Sequence, residues 1–113
     1  MSSNVKGKLR KLLTIMPAVA RKGDAVDTGH PICDATTVLD APSQSKVKVE
    51  GELVCCVGDL TVEHTHPPNC APHTAPITAG SATVTIGGIP VARVGDACDA
   101  GTITSGASTV SIG

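Results

Sequence analysis

The chain repeats itself. Gly-Asp pairs recur at Gly23-Asp24, Gly58-Asp59 and Gly95-Asp96, spaced 35 and 37 residues apart, with similar residues leading into each. The segments are PAVARKGD (17–24), KVKVEGELVCCVGD (46–59) and TVTIGGIPVARVGD (83–96), and TVSIG (109–113) closes the chain. A repeat of this period constrains the fold strongly, because one such unit cannot bury its own apolar face and must pack on its neighbours. Within a unit, the alternation of Thr83, Val84, Thr85 and Ile86 predicts a strand, Gly87-Gly88 a tight turn and Val91 to Val94 a second short strand, after which Gly-Asp opens a loop. The pair itself is expected to serve the turn, glycine being free of Cβ restrictions and aspartate able to cap local N–H groups, with no catalytic role. GSA (80–82) and GAS (106–108) precede the last two TV strands, and their small side chains permit close backbone approach.

The residue types agree with this reading. No Phe, Tyr or Trp occurs among 113 residues, so the core must be thin; Val, Ile, Leu, Ala, Thr, Ser and twelve glycines suit strands and turns. An all-β fold is expected, with a metal, disulfides or a partner subunit as a staple. Residues 1 to 22 carry six bases and no acid, whereas residues 23 to 113 carry three bases and ten acids, a net charge of −7 that argues against nucleic-acid binding. The basic start and LLTIMPAVA have the outline of a secretory signal, with Ala18-Val19-Ala20 imitating a cleavage site. The apolar stretch is short, contains Pro17, and cleavage would remove the start of the first repeat, so residues 1–15 are expected to be a flexible or weakly helical basic extension. No segment approaches transmembrane length, and a soluble chain is expected.

Each loop after a Gly-Asp pair holds metal-ligating residue types: His30 and Cys33 in the first, His64, His66, Cys70 and His73 in the second, and Cys98 in the third. The second loop, HTHPPNCAPH, cannot be helical, because each proline lacks an N–H and restricts the residue before it. If three repeats pack around a pseudo-threefold axis, the loops converge. Four mixed His and Cys ligands in a tetrahedron suit zinc, with iron as the substitute. The linear spacing matches no zinc finger, and a lone histidine on a Pro-rich loop is ordinarily just solvated; the presence of ligands in all three loops favours a metal.

MPAVARKGD, GIPVARVGD and GASTVSIG resemble the proline-alanine-alanine-arginine (PAAR) repeat proteins over residues 16–113. The resemblance implies a small cone of three β-rich repeats with a structural zinc near the vertex, held by three histidines and one cysteine. It implies a base that caps the trimeric VgrG-like spike of a type VI secretion system, or the spike of a contractile phage tail. By the same resemblance His30, His64, His73 and Cys98 are the ligands, with His66 the alternative to His64 because alternate strand residues point the same way. Cys33 and Cys70 lie near family cysteines and are read as neighbours of the site. Cys55-Cys56 replace Ala-Arg of the motif in the middle repeat; they are expected to be buried packing residues, which puts that repeat's arginine contact in doubt. The resemblance further implies one tip per spike trimer, an effector or adaptor as a further partner, passing contact with the target membrane, and a cytoplasmic stage before delivery outside the cell.

Competing classes fit less well. A small zinc hydrolase needs an open coordination position and a general base, for which Glu63 beside His64 is the one candidate, but four available ligands would close the site. A stand-alone metal-binding protein remains as the other alternative. A redox enzyme would be expected to show CxxC, which is absent, and an odd count of five cysteines disfavours a disulfide scaffold. The chain reaches its last strand at Gly113, so an effector domain is expected on a separate protein.

Overall fold

Frequent glycines and prolines cut the chain into short extended pieces, and a computed structural model of residues 16–113 is all-β, with no helix among the described residues. The basic extension at residues 1–15 lies outside the described residues. The strands are β1 (Ala25–Asp27), β2 (Thr36–Ala41), β3 (Lys48–Val49), β4 (Glu52–Leu53), β5 (Leu60–Thr61), β6 (His64–His66), β7 (Ala71–His73), β8 (Thr85–Ile86), β9 (Ile89–Pro90), β10 (Ala97–Cys98) and β11 (Gly101–Ile103). An antiparallel sheet ordered β10-β11-β1-β2-β5 gathers strands that follow all three Gly-Asp pairs. Three two-stranded hairpins stand beside it: β3–β4, β6–β7 and β8–β9. The Gly87-Gly88 turn is as expected, with φ of 59° and 83°, a hairpin geometry that needs positive φ at both central residues. The strand after it begins earlier than predicted, at Ile89, and Val91 instead makes a single bridge to Cys56 of the middle repeat.

The Gly-Asp pairs make one hydrogen-bonding unit three times. Asp24, Asp59 and Asp96 are buried, and one Oδ2 of each accepts from the backbone N–H three residues earlier: Arg21 at 2.7 Å, Cys56 at 2.7 Å and Arg93 at 2.8 Å. Gly23, Gly58 and Gly95 sit at φ of 90°, 93° and 91°, where a Cβ is disfavoured. The aspartate thus supplies the acceptor that the turn's own backbone lacks. Arg21 and Arg93 add their guanidinium groups to Asp24 and Asp96. In the middle repeat Cys56 stands where the arginines stand, and the other oxygen of Asp59 takes a backbone N–H from Ser43 at 3.0 Å instead.

The residues just before these turns bind the repeats together. Ala20 N–H donates to Ala92 O at 2.9 Å, Ala92 N–H to Cys55 O at 2.9 Å, and Cys55 N–H to Ala20 O at 3.0 Å, a closed ring of three bonds. Ala20, Cys55 and Ala92 are fully buried with Val26, Leu39, Ile77, Cys98 and Ile103, and only small side chains fit where three backbones meet. Gly80 and Gly106 show the same economy of space: a Cβ on them would press on the carbonyl oxygens of Val91 and Val19. A second cluster of Val19, Val54, Cys56, Val91 and Ala107 lies beside the first, with Val49, Val84, Ile86, Val110 and Ile112 packed against it. Cys55 and Cys56 are therefore packing residues, as their place in the motif suggested, and burial pushes the Cys55 thiol up to about 12.

Candidate metal centre

The loops that follow the three Gly-Asp pairs meet at one place. In the second loop β6 and β7 pair with His64 directly opposite His73, so both rings project from one face of the hairpin. The first loop is shaped by Thr28, which is fully buried; its hydroxyl donates to Asp34 O at 2.7 Å and accepts from His30 N–H at 3.2 Å. The third loop is the Asp99-Ala100 turn joining β10 to β11, with Asp99 at φ 57°, a conformation aspartate tolerates better than most residues.

His30, His64, His73 and Asp99 converge there, with one ligand atom from each lying within 4.8 Å of all the others. Asp99 Oδ1 is 3.0 Å from His30 Nε2, and Asp99 Oδ2 is 2.6 Å from His64 Nε2 and 3.1 Å from His73 Nε2. The two imidazole nitrogens of His64 and His73 are 2.8 Å apart. His64 is buried and Asp99 is largely so, which removes the water that would otherwise screen these groups.

The opposite ring nitrogens decide what such a cluster can bind. His64 Nδ1–H donates to Val62 O at 2.9 Å, with Thr61 Oγ1 at 3.3 Å, and His30 Nδ1–H donates to Thr65 O at 3.2 Å. A proton held at Nδ1 by a carbonyl leaves Nε2 with a bare lone pair, the orienting contact that metal-ligating histidines use. Lone pairs and a carboxylate aimed at one point repel one another. A proton relieves one pair at a time, whereas one divalent cation relieves all four at once. Tetrahedral bonds of about 2.0–2.1 Å place neighbouring ligand atoms about 3.3 Å apart, inside the span of 2.6 to 4.8 Å seen here, so the residues can close around a metal of the zinc type. Burial raises the Asp99 carboxyl, but hydrogen bonds from His64 and His30, which a ring proton at Nε2 makes when no cation is bound, together with the charge of His30 and His73, hold the group below the ordinary aspartate value.

The structure thus brings together three of the four residues expected from the sequence, His30, His64 and His73, and Asp99 joins them. Cys98 is fully buried in the main apolar cluster and its sulfur is not part of the group. Cys98 is the last residue of β10 and enters the core, whereas Asp99 opens the turn at positive φ and reaches the histidines, and the aspartate is far the costlier to bury among aliphatic side chains. His66 is not in the group either; its ring stacks on that of His73 with centroids 4.2 Å apart, and its Nδ1–H donates to Pro67 O. Glu63 is exposed and outside the cluster.

Cys33 and Cys70 are joined by a disulfide with Cα atoms 5.4 Å apart, linking the first loop to the β6–β7 hairpin. Counting all five cysteines together hid this pair, because Cys55, Cys56 and Cys98 are free, buried core fillers.

Comparison with family models finds the PAAR motif matching residues 28–101 and 68–113. Among curated proteins none matches the chain.

Proposed function

The chain belongs to the PAAR-motif family, whose members serve as structural spike-tip proteins of contractile injection systems, and from that premise we propose that residues 16–113 form a metal-stiffened cone capping a trimeric VgrG-like spike. One observation carries the metal part: three histidines and a carboxylate from three different loops converge with their ligand atoms aimed at a single point. The metal is zinc, held by His30, His64, His73 and Asp99, with Cys98 left in the core. Its chemistry is that of a closed structural site, in which a tetrahedral ion ties loops that have no apolar core of their own. Iron is the alternative ion for a site without thiolate, and metal analysis separates the two. No catalytic role is assigned to any residue.

An apolar basin supports the docking part. Val47 and Val49, Val84 and Ile86, and Val110 and Ile112 stand at matching positions of the repeats, and with Val19, Val54 and Val91 they line an open cavity of about 160 Å³. A surface to which each repeat gives one residue of every kind complements the end of a trimer, one tip to three spike chains. Burying it beneath a partner at roughly 25 cal/mol per Å² of apolar surface removes the reason such a patch would otherwise cause aggregation. The chain is assembled onto the spike in the cytoplasm and leaves the cell with it, meeting the target membrane briefly; an effector or adaptor is the further partner. Size-exclusion chromatography with the cognate spike at micromolar concentration tests this. A 1:3 complex that Ile86→Asp abolishes is the expected outcome, and two separate peaks for the unaltered chains would sink the docking reading.

A further inference from the structure

We propose that Cys33 and Cys70 are a thiol–disulfide exchange site that clamps the first metal loop to the β6–β7 hairpin, so that redox state sets how firmly the tip holds its metal. The consequence for metal retention rests on the metal reading above; the clamp itself does not. Cys33 lies three residues after His30, and Cys70 three residues before His73, so their bond runs between two of the three ligand-bearing loops. Both sulfurs belong to the outer part of the molecule: Cys33 is half-buried and Cys70 exposed, whereas the other three cysteines are buried. Exchange with a small thiol therefore has access to this pair and not to the rest.

The backbone shows what the bond holds in place. Cys33 and Cys70 have φ of 70° and 54°, the left-handed region that a side chain with a Cβ disfavours. Bond cleavage frees both segments to leave it. The ties that then remain between these segments are polar: the Asp34 carboxylate accepting from Thr65 N–H at 2.8 Å and the Thr65 hydroxyl at 2.9 Å, and Thr65 O accepting from Asp34 N–H at 3.4 Å and from His30. Asp34 is exposed, so water competes for those bonds.

Closure takes two steps. The exposed Cys70 thiolate attacks one sulfur of a small-molecule disulfide, whose S–S bond breaks and releases one thiolate. Cys33 thiolate then attacks Cys70 Sγ of the mixed disulfide and expels the second. The protein loses two protons and two electrons, and the small disulfide gains both as two thiols. A reducing cytoplasm keeps the pair open and an oxidising exterior closes it, so a part that passes from one to the other is loaded with metal while open and locked on delivery.

The test uses the full chain incubated with zinc chloride, in buffers of reduced or oxidised glutathione, beside a Cys33→Ser/Cys70→Ser double variant. Alkylation of the native protein reads which cysteines are free, and transfer of zinc to a chromophoric chelator reads retention. Release at least about tenfold slower from the oxidised protein, with the double variant fast in both buffers, is the expected result for a bridge closing a loop of this length. Equal rates in the two states overturn the proposal, as does labelling of Cys33 and Cys70 in oxidised glutathione. Should the chain bind no zinc in either state, the metal reading fails, and hydrogen exchange decides the clamp: oxidation must slow residues 28–35 and 64–73 while leaving the β3–β4 hairpin unchanged. Equal slowing everywhere, or none, refutes it.

Discussion

Asp96→Ala separates the two things that the Gly-Asp unit does. The buried carboxylate accepts from Arg93 N–H at 2.8 Å and from the Arg93 guanidinium at 3.0 and 2.8 Å. The backbone contact is a hydrogen bond to a charged acceptor inside a turn, and its loss costs about 1.5–3 kcal/mol. The ion pair is a lesser matter, because the Arg93 side chain is 21% exposed and water screens it, leaving at most about 1 kcal/mol. Asp96→Ala should therefore destabilise by about 2.5–4 kcal/mol and Arg93→Ala by only about 1 kcal/mol, since Arg93→Ala keeps the backbone bond. The middle repeat is an internal control. Asp59 has no arginine and accepts only backbone N–H groups from Cys56 and Ser43, yet Asp59→Ala should cost about as much as Asp96→Ala. Thermal unfolding at fixed metal concentration reads the difference as a Tm drop of roughly 10–25 °C for either aspartate and under about 8 °C for the arginine. If Arg93→Ala proved as damaging as Asp96→Ala, or Asp59→Ala were harmless, the ion pair and not the turn cap would be what the motif provides.

Three further outcomes are expected. A Cβ added at Gly101 would fall on the carbonyl oxygen of Asp27 and the backbone of Gly29, neither of which can move without breaking β1–β11 pairing, so Gly101→Ala should cost more than about 3 kcal/mol by urea denaturation. Added zinc should raise Tm and excess chelator reverse it, the gain being about 2.7 kcal/mol when free zinc is a hundredfold above Kd, and His64→Ala should abolish the response. The Glu50 carboxylate is held down to about 2, from 4.5, chiefly by the Thr109 hydroxyl and the Ser108 N–H. A depressed carboxylate contributes stability that is fully present above about 4.5 and lost as pH falls toward 2, so Glu50→Gln should lower stability near pH 7, flatten the profile across that window and converge with the parent near pH 2.

The parts of this molecule legible in its sequence are those where one residue type alone satisfies the backbone. Gly23, Gly58 and Gly95 at φ near 90° had to be glycine, and each following aspartate had to be a short acceptor, so the repeat was visible by letter. His30, His64 and His73, which the structure brings together, stand out in the sequence because imidazoles are scarce and all fall after a Gly-Asp pair. Asp99, which joins them in the structure, does not stand out in the same way, because carboxylates are common on solvated turns and a count of His and Cys passes over them. The usable signal was its neighbour: Cys98 and Asp99 lie where a strand gives way to a turn, and of the two the thiol is the better candidate for the core. Cys33 and Cys70 were missed for a different reason, since no local pattern ties two residues that meet only after distant loops have packed.

Departures from the repeat are therefore more informative than the repeat. Where the three units agree, they share a turn cap, a small residue in the ring of Ala20, Cys55 and Ala92, and an apolar pair facing the basin. Agreement of that kind builds a scaffold and fits a symmetric partner. The loops beyond each Gly-Asp pair agree in neither length nor composition, and the candidate metal group among the described residues draws one histidine from the first, two from the second and a carboxylate from the third. On the proposed reading a tetrahedron has four corners and three loops fill it, so one loop has to give twice. The β6–β7 hairpin does so by placing His64 and His73 in register, and it also carries Cys70, through which it is tied covalently to the first loop. The same loop thus carries the metal pair and the bond that holds it in position. Loss of register in that hairpin should open the centre even with every ligand retained.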